Sequence, residues 1–414
     1  MTRAGRVVGL TAIGAATALL WLLPGAVAEP LPGATADGAV AVARRLSPAL
    51  AAAALDADSA KYSVGSAGVV SDPTLVLEAW DVNRQGVGQR RFGIEQEIKL
   101  WGKYGLERDV AKSDADAARH QSRAADAELA ARVVAAHGEY NAAHEAVGVA
   151  LEIKRRFDEI LGLLRSRYGA TAVERQDVIK AEVEAATAEG DVVRRQGELK
   201  SAAARLNALI GRQSIAPLAA PSGFRSVRTS LTLAGIQARA RSANPLLAAT
   251  DALVNSAKRS KSLTDLNYYP NATLGAKYVQ RPGAEDTGEF TVGFKLPLHY
   301  EAKDAEQRAA GARLGAAQAR SEALRLRIDG EVADAWFAFV ALQKAIQIYA
   351  NRQLPAARAS VDTARDGFQA GSTDLSFVFE AERRLRTVQL DLLKLKVEQQ
   401  TKHAELERLA GGSL

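Results

Sequence analysis

Residues 38–61, GAVAVARRLSPALAAAALDADSAK, return as residues 235–258, GIQARARSANPLLAATDALVNSAK. Gly38, Arg44, Pro48, Leu50, Ser59, Ala60 and Lys61 reappear as Gly235, Arg241, Pro245, Leu247, Ser256, Ala257 and Lys258, each 197 positions on. Pro73 and Pro270 keep that spacing. Farther along, Gly93, Arg165, Ala170, Val178, Glu182, Asp191, Glu198, Leu206 and Gly211 reappear as Gly293, Arg365, Ala370, Val378, Glu382, Asp391, Glu398, Leu406 and Gly411, each 200 positions on. Alanine matches alone would carry little in a chain this rich in alanine. The Arg, Pro, Gly, Glu and Leu matches at constant offset identify a duplication in two copies. The offset grows by three between Pro73 and Gly93, which puts a longer loop in the second copy.

The duplication divides the chain into a leader (1–28), a first repeat (29–215), a linker (216–230) and a second repeat (231–414). The leader carries Arg3 and Arg6, an apolar run from Val7 to Leu23, and Ala26-Val27-Ala28. That is the pattern of a signal peptide, so the mature chain is expected to start at Glu29. No later apolar run reaches the length of about 18 residues that a membrane-spanning helix needs. Any membrane crossing must therefore use strands. The chain has no cysteine, which excludes disulfides, thiolate metal sites and an anchor on an acylated N-terminal Cys. The net charge of +6 is spread along helical stretches, with no basic cluster interleaved with aromatics, so no nucleic-acid partner is expected.

Each repeat reads as two short helices broken at Ser47-Pro48 or Asn244-Pro245, then a β-hairpin, then a long helical hairpin. The first β-hairpin is placed at about 74–100. Phe92, Ile94, Ile98 and Leu100 fall on one side of its second strand and Arg91, Glu95, Glu97 and Lys99 on the other, with Gln96 the one interruption. The second is placed at about 271–299, with Phe290, Val292, Phe294, Leu296 and Leu298 on one side and Thr291, Gly293 and Lys295 on the other. Leu75, Leu77 and Ala79, or Leu274, Ala276 and Tyr278, mark the preceding strands. The helical hairpins are placed at about 104–211 and 303–411. No proline occurs between Pro73 and Pro217, so Tyr104 to Arg167 is predicted as one helix of about 95 Å. Its counterpart carries Pro355, where a break or kink is expected. The return helices repeat apolar residues at spacings of three and four, such as Leu385, Val388, Leu392 and Leu395, which is a coiled-coil seam.

The fold class is thus mainly α with a small β part. Four strands cannot close a membrane barrel, which needs at least about eight and no free edge. Three copies supply twelve. The expected assembly is a homotrimer with a twelve-stranded transmembrane β-barrel continued by a long α-helical coiled-coil barrel, apolar side chains meeting outer-membrane lipid and charged ones facing water.

At this point the chain resembles the TolC family of outer-membrane efflux proteins over its whole mature length. The resemblance rests on the duplicated plan, on Arg167-Tyr168 followed by Asp177-Val178, and on Phe368-Gln369-Ala370-Gly371 leading into Val378-Phe379-Glu380-Ala381. Gly68, Asp72-Pro73, Leu75 and Gly102-Lys103 look like the heavy-metal branch of RND-type efflux systems. The resemblance implies a trimeric duct in the outer membrane whose helical barrel crosses the periplasm toward an inner-membrane RND pump. It implies that the helical tips, Arg167, Tyr168, Gly169 and Ala170 with Phe368, Ala370, Gly371 and Ser372, meet a periplasmic adaptor (membrane fusion) protein. It also implies a pore constriction near those tips, for which Asp177 and Glu380 are the candidates. Thr171 stands where the second copy has Gly371, and Lys180 where it has Glu380, so the two tips are expected to differ.

No nucleophile motif, phosphate loop or metal-ligand spacing stands out, so neither an enzyme nor a cofactor is expected. His137 and His144 are too far apart on one helix for the usual metal pair, and a packing role is expected of them. Divalent metal cations are a candidate cargo. The alternatives are a duct for drugs or type I secretion, and a periplasmic coiled-coil adaptor or scaffold, which would normally carry one helical hairpin among several β-rich modules.

Overall fold

Both repeats begin with the same local solution. In the computed structural model, which describes residues 31–84, 86–169, 174–226 and 232–414, helix α1 (Ala36–Leu46) is capped by Thr35, whose hydroxyl accepts from the Gly38 N–H at 3.1 Å. Helix α5 (Leu233–Ala243) is capped by Thr232, accepting from the Gly235 N–H at 3.3 Å. Each helix stops at the residue before a proline, because the pyrrolidine ring pushes that residue out of the helical region. Ser47 and Asn244 are accordingly extended, and Pro48 and Pro245 open α2 (Pro48–Ser66) and α6 (Pro245–Asp265). The bend between α1 and α2 is 52°. The proposed leader and Glu29 lie outside the described residues. Among those described, no single helix is long and apolar enough to cross a membrane.

The strands are β1 (Thr74–Asn83), β2 (Gly86–Ile98), β3 (Ala272–Gln280) and β4 (Thr287–Phe294). They form one antiparallel sheet in the order β1-β2-β3-β4, so the two hairpins meet along β2 and β3. The register sets Leu77 opposite Phe92, Phe92 opposite Tyr278, and Ala276 opposite Phe290. Directly opposed residues share a face, so the alternation of each strand adds into one apolar and one charged surface. Only residues 84–85 separate β1 from β2, whereas residues 281–286 separate β3 from β4. Pairing ends at Phe294, opposite Ala272 where β3 begins, although the alternation runs on through Leu296 and Leu298; one step beyond, Lys295 N–H still reaches the Asn271 carbonyl at 3.2 Å.

Helix α3 (Lys103–Gly169) runs 67 residues without a break, about 100 Å at the α-helical rise. Its return partner is α4 (Arg175–Leu209). In the second repeat α7 (Tyr300–Ile348) passes through a π-turn at Tyr349–Gln353 into α8 (Leu354–Gln369), and α9 (Leu375–Leu409) returns. Pro355 explains the interruption: it offers no N–H to the preceding turn and its ring crowds a carbonyl there, which the wider π-turn relieves. The apolar cores are strung along this framework. One joins α1, α3, α4 and Ala404 of α9, and another joins α5, α7 and the end of α9. A third, at the far end, joins Ile153, Phe157 and Leu164 of α3 to Ala181 and Ala185 of α4 and to Leu375, Val378 and Phe379 of α9.

Both return helices end in the same cap. Arg212 N–H reaches the Asn207 carbonyl (2.8 Å) with Gly211 at φ +76°, and Gly412 N–H reaches the Glu407 carbonyl (2.9 Å) with Gly411 at φ +74°. A Cβ on Gly211 would lie 2.5 Å from the Leu46 carbonyl oxygen, and one on Gly411 would lie 2.3 Å from that of Ala243. These glycines seat each return helix under the helix that opened its repeat. Gly211→Ala and Gly411→Ala are each expected to cost about 1–3 kcal/mol from the strained backbone, and the carbonyl clash adds to it. Thermal unfolding of the purified variants in detergent should show both midpoints lowered.

Candidate functional site

Two surfaces stand out: the sheet with its two unlike faces, and the far tips of the helical hairpins. On the outer face of the sheet Leu75, Leu77, Phe92, Ile94, Leu274, Tyr278, Val292 and Phe294 are all exposed, and Phe290 is 87% exposed. This is far more contiguous apolar surface than a water-facing sheet tolerates. The opposite face holds a charge network. Lys277 Nζ lies 2.8 Å from Glu78 Oε1 and 3.1 Å from Glu95 Oε1, Arg91 reaches Glu289 at 3.4 Å, and Arg91 stacks over Trp80 at 4.6 Å. Glu97 accepts from Asn271 Nδ2 at 2.9 Å.

Where the sheet meets the helices stand two aromatic pairs, Trp101 with Tyr269 and Tyr268 with Tyr300 (ring centroids 6.5 Å apart), and Trp101, Tyr269 and Tyr300 are exposed. Trp101 adopts φ +65°, a conformation rarely taken by a bulky residue, and is held by an indole N–H donated to the Pro270 carbonyl (3.1 Å) and by Tyr269 at 5.3 Å. Buried Lys103 ties the junction together, donating to the Tyr269 carbonyl (2.8 Å) and to Asn271 Oδ1 (2.7 Å). An aromatic girdle beside an apolar band is the signature of a membrane–water boundary.

At the far end, Gly371 N–H bonds the Phe368 carbonyl (3.2 Å) and Ser372 N–H the Gly367 carbonyl (2.9 Å), which closes α8, while Asp374 caps α9 by accepting from Ser376 N–H at 2.7 Å. In the first tip Tyr168 is exposed, Arg167 is half-buried and α3 ends at Gly169; Ala170 and Thr171 lie outside the described residues. Ala370, Gly371 and Ser372 are exposed, whereas Phe368 turns inward and packs against the tip core.

Asp177 sits in the first turn of α4 and pairs with Lys180 at 3.3 Å, and exposed Glu380 pairs with Arg383 at 3.4 Å. Each candidate acid thus has a base three residues on. Arg383 also reaches Glu184 (2.9 Å), and Arg386 reaches Asp191 (2.8 Å), so ion pairs link α9 to α4. A groove of about 590 Å³ lies between these two helices, lined by Ile179, Lys180, Val183 and Phe379 among others.

Sequence reasoning missed the most buried charge. The Glu382 side chain is 0% exposed, 3.1 Å from Arg156 of α3 and 3.6 Å from Arg365 of α8. Burial pushes its carboxyl above the ordinary range, and the two arginines offset part of that rise. The signal was available, because Arg165 and Glu182 recur as Arg365 and Glu382; in the first copy that pair stands 2.7 Å apart and largely exposed. Among the described residues no group of three or more His, Cys, Asp or Glu side chains is placed to hold a metal ion. Buried His137 packs with Nε2 2.9 Å from the Gly33 carbonyl, and His144 is exposed.

The family described as outer membrane efflux protein matches residues 40–212 and 237–412, one segment per repeat. The fold is shared with solved structures of low sequence identity. CusC has a TM-score of 0.80 at 18% identity, with 91% of this chain and 92% of that one covered. VceC of Vibrio cholerae has 0.78 at 20%, covering 91% and 96%, and the open state of MtrE of Neisseria gonorrhoeae has 0.78 at 18%, covering 92% and 90%. No curated protein matches by sequence.

Arg156→Ala leaves Glu382 buried without its nearer partner and is expected to cost about 3–5 kcal/mol, whereas Glu382→Gln removes the buried charge itself and should cost less, because Arg156 keeps Glu152 and Arg365 keeps Glu159. The sign with pH follows from the raised pKa. The folded chain holds the Glu382 proton to higher pH than the unfolded chain, so acidification toward the ordinary glutamate value favours the fold. Losing Arg156 raises that pKa further. The deficit of Arg156→Ala should therefore shrink between pH 7.5 and pH 5.5 in thermal unfolding; a deficit independent of pH would show that the Glu382 charge is not its cause.

Proposed function

This chain belongs to the outer membrane efflux protein family, and from that premise we propose that it is the outer-membrane channel subunit of a tripartite, RND-type efflux system. Three copies form a duct whose β-barrel sits in the outer membrane and whose helical barrel crosses the periplasm. The observation that carries this reading is the four-stranded sheet, exposed on its apolar face and, among the described residues, unpaired along the outer edges of β1 and β4. Strands of 8–13 residues suit the membrane-spanning length of about 9–11. Closing three sheets edge to edge satisfies every backbone group, turns Phe290 and Val292 to lipid, and leaves Glu78, Lys277 and Arg91 facing water.

The partners in this reading are an adaptor at the tips, received by Tyr168 and by Ala370, Gly371 and Ser372, and an inner-membrane pump that selects the cargo. Divalent metal cations are the first cargo to test. The sequence resembles the heavy-metal branch, and the water-facing side of the sheet carries Glu78, Glu95, Glu97 and Glu289 against Arg91 and Lys277. Asp177 and Glu380 line the narrow end as a ring of mixed charge, each acid offset by Lys180 or Arg383.

Two experiments test these assignments. Val292→Arg places a charge on the lipid face at a cost of about 2–4 kcal/mol near the bilayer midplane, whereas Thr291→Arg points into the lumen. Only the first should reduce recovery from the outer-membrane fraction, and equal recovery would reject the orientation. In planar bilayers, removing Lys180 and Arg383 should increase cation selectivity, and removing Asp177 and Glu380 should lower it. Unchanged reversal potentials in both would remove these residues from the pore.

A further inference from the structure

A cavity of about 730 Å³ opens between the two repeats. The first repeat supplies α1 and α3 to its walls; the second supplies the corner where α5 gives way to α6 and the glycine cap of α9, and the linker adds Arg225. Its size falls within the range of small-molecule sites, roughly 300–1,000 Å³. A wall of close-packed helices has no need of a polar void this large, because protein interiors leave few gaps bigger than a water molecule.

The charges around the cavity do not cancel. All three of its carboxylates are already committed to arginines. Arg44 holds Asp126 through two bonds of 2.8 Å, and Arg225 holds Glu407 at 2.7 Å and reaches Asp37 at 3.5 Å. What remains is positive. Arg408 reaches Glu128 and Glu331 only at 3.4 and 3.5 Å, and neither acid lines the cavity. Arg123 has no ion-pair partner among the described residues, and it stands one turn from His120 on the same wall. Burial, then the charges of Arg119 and Arg123, hold the His120 imidazole below its ordinary pKa, with Asp116 offsetting part of the effect. A neutral imidazole still offers one ring N–H. Ser413, in the cap of α9, brings a hydroxyl to the same space, and α6 begins at its wall with Pro245 and Ala248, so the positive end of a 21-residue helix adds to the potential.

Comparison of the repeats separates this surplus from the scaffold. The ion pair of Arg44 with Asp126 has its copy in Arg241 with Asp329. Three and six positions before Asp126 stand Arg123 and His120; three and six before Asp329 stand Leu326 and Ala323. The structural pair was kept in both copies, whereas the two basic side chains occur only in the one that faces the cavity.

We propose that this cavity binds a small organic anion carrying two or more carboxylate or phosphate groups, with Arg123 as its main contact, His120 and Ser413 as donors beside it, and Arg408 receiving its second charge. The carboxylates of the walls do not repel such a ligand strongly, because each already has its own arginine. A monovalent anion satisfies Arg123 alone, whereas a di- or trianion joins α3 of the first repeat to α9 of the second. The bound ligand therefore fastens the two repeats where the linker passes between them. The site is independent of the cargo and of the duct reading.

Titration of the purified protein in detergent tests the site, with tricarballylate, inorganic phosphate and acetate compared at constant ionic strength by calorimetry and thermal unfolding. Saturable binding with a raised midpoint is expected for at least one of the two polyanions and not for acetate, and the better of the two distinguishes carboxylate from phosphate chemistry. Arg123→Ala removes a charge-assisted contact and should weaken that binding by about tenfold. Arg123 is exposed and unpaired, so its loss should leave helical content by circular dichroism unchanged. Arg119→Ala is the control: it deletes an equal charge one turn away that pairs with Asp116 at 2.9 Å and does not line the cavity, and it should leave the affinity as it was. Equal weakening by both variants would show screening by the general surface charge and overturn the site, as would a response to acetate equal to that of the polyanions. Absence of saturable binding to either polyanion overturns it outright.

Discussion

An antiparallel sheet of four strands has two edges, and neither can end in hydrocarbon. The outer edges of β1 and β4 meet no strand among the described residues, while the broad face between them is covered with Leu, Ile, Val and Phe. In water the apolar face is the problem, and in lipid the open edges are. The only arrangement that answers both is a closed ring of sheets. Ring closure then fixes much of the rest, because helices leaving such a ring must share its curvature and continue as a wall.

The wall is built by repetition, with one feature used unequally. A glycine cap under the first helix of each repeat, at Gly211 and Gly411, and the paired arginines Arg44 and Arg241, which hold Asp126 at 2.8 Å and Asp329 at 2.7 Å, set both repeats in the same attitude. The arginine–glutamate pair near the tips departs from this equality. In the second repeat it is buried and joined by Arg156; in the first it stands open to solvent. A buried carboxylate with two guanidinium partners resists separation, because moving either arginine strands a charge. The same chemistry half-exposed contributes little until something covers it.

Much of this was legible in the sequence, and the limits follow from physics. Alternation with period two survives in any half-buried strand, so Phe92, Ile94, Phe290 and Val292 declare the sheet faces without a structure. A repeat with constant offset declares the duplication. The end of β4 at Phe294 was not legible, since Leu296 and Leu298 continue the pattern and pairing stops only where its neighbour β3 begins, at Ala272. Glu382 was missed because a glutamate in a helix reads as a solvated face until the helix beside it is known. The motif around Phe368 says that it stands at a tip, and only the packing of the neighbouring helices shows that its ring sits against the tip core. The proline at 355 announced a break in the long helix, but not that the break would be a π-turn at Tyr349–Gln353, one turn ahead of it.

That turn bears on how the two halves of the wall respond to load. Helix α3 is continuous from the sheet to the tip, with every interior N–H bonded along the helix, so bending it anywhere breaks regular bonds. The path through α7 and α8 has already given up the regular bonds at Tyr349–Gln353, and Pro355 has none to lose. Bending there costs less than at any point in α3. Below the turn, α8 and α9 are held to α3 and α4 by Glu382 with Arg156 and Arg365, by Arg383 with Glu184, and by Arg386 with Asp191. The joint at Tyr349–Gln353 belongs to the second repeat alone, and the ion pairs below it tie that repeat to the first. The first repeat, with its unbroken helix, is the stiffer of the two walls.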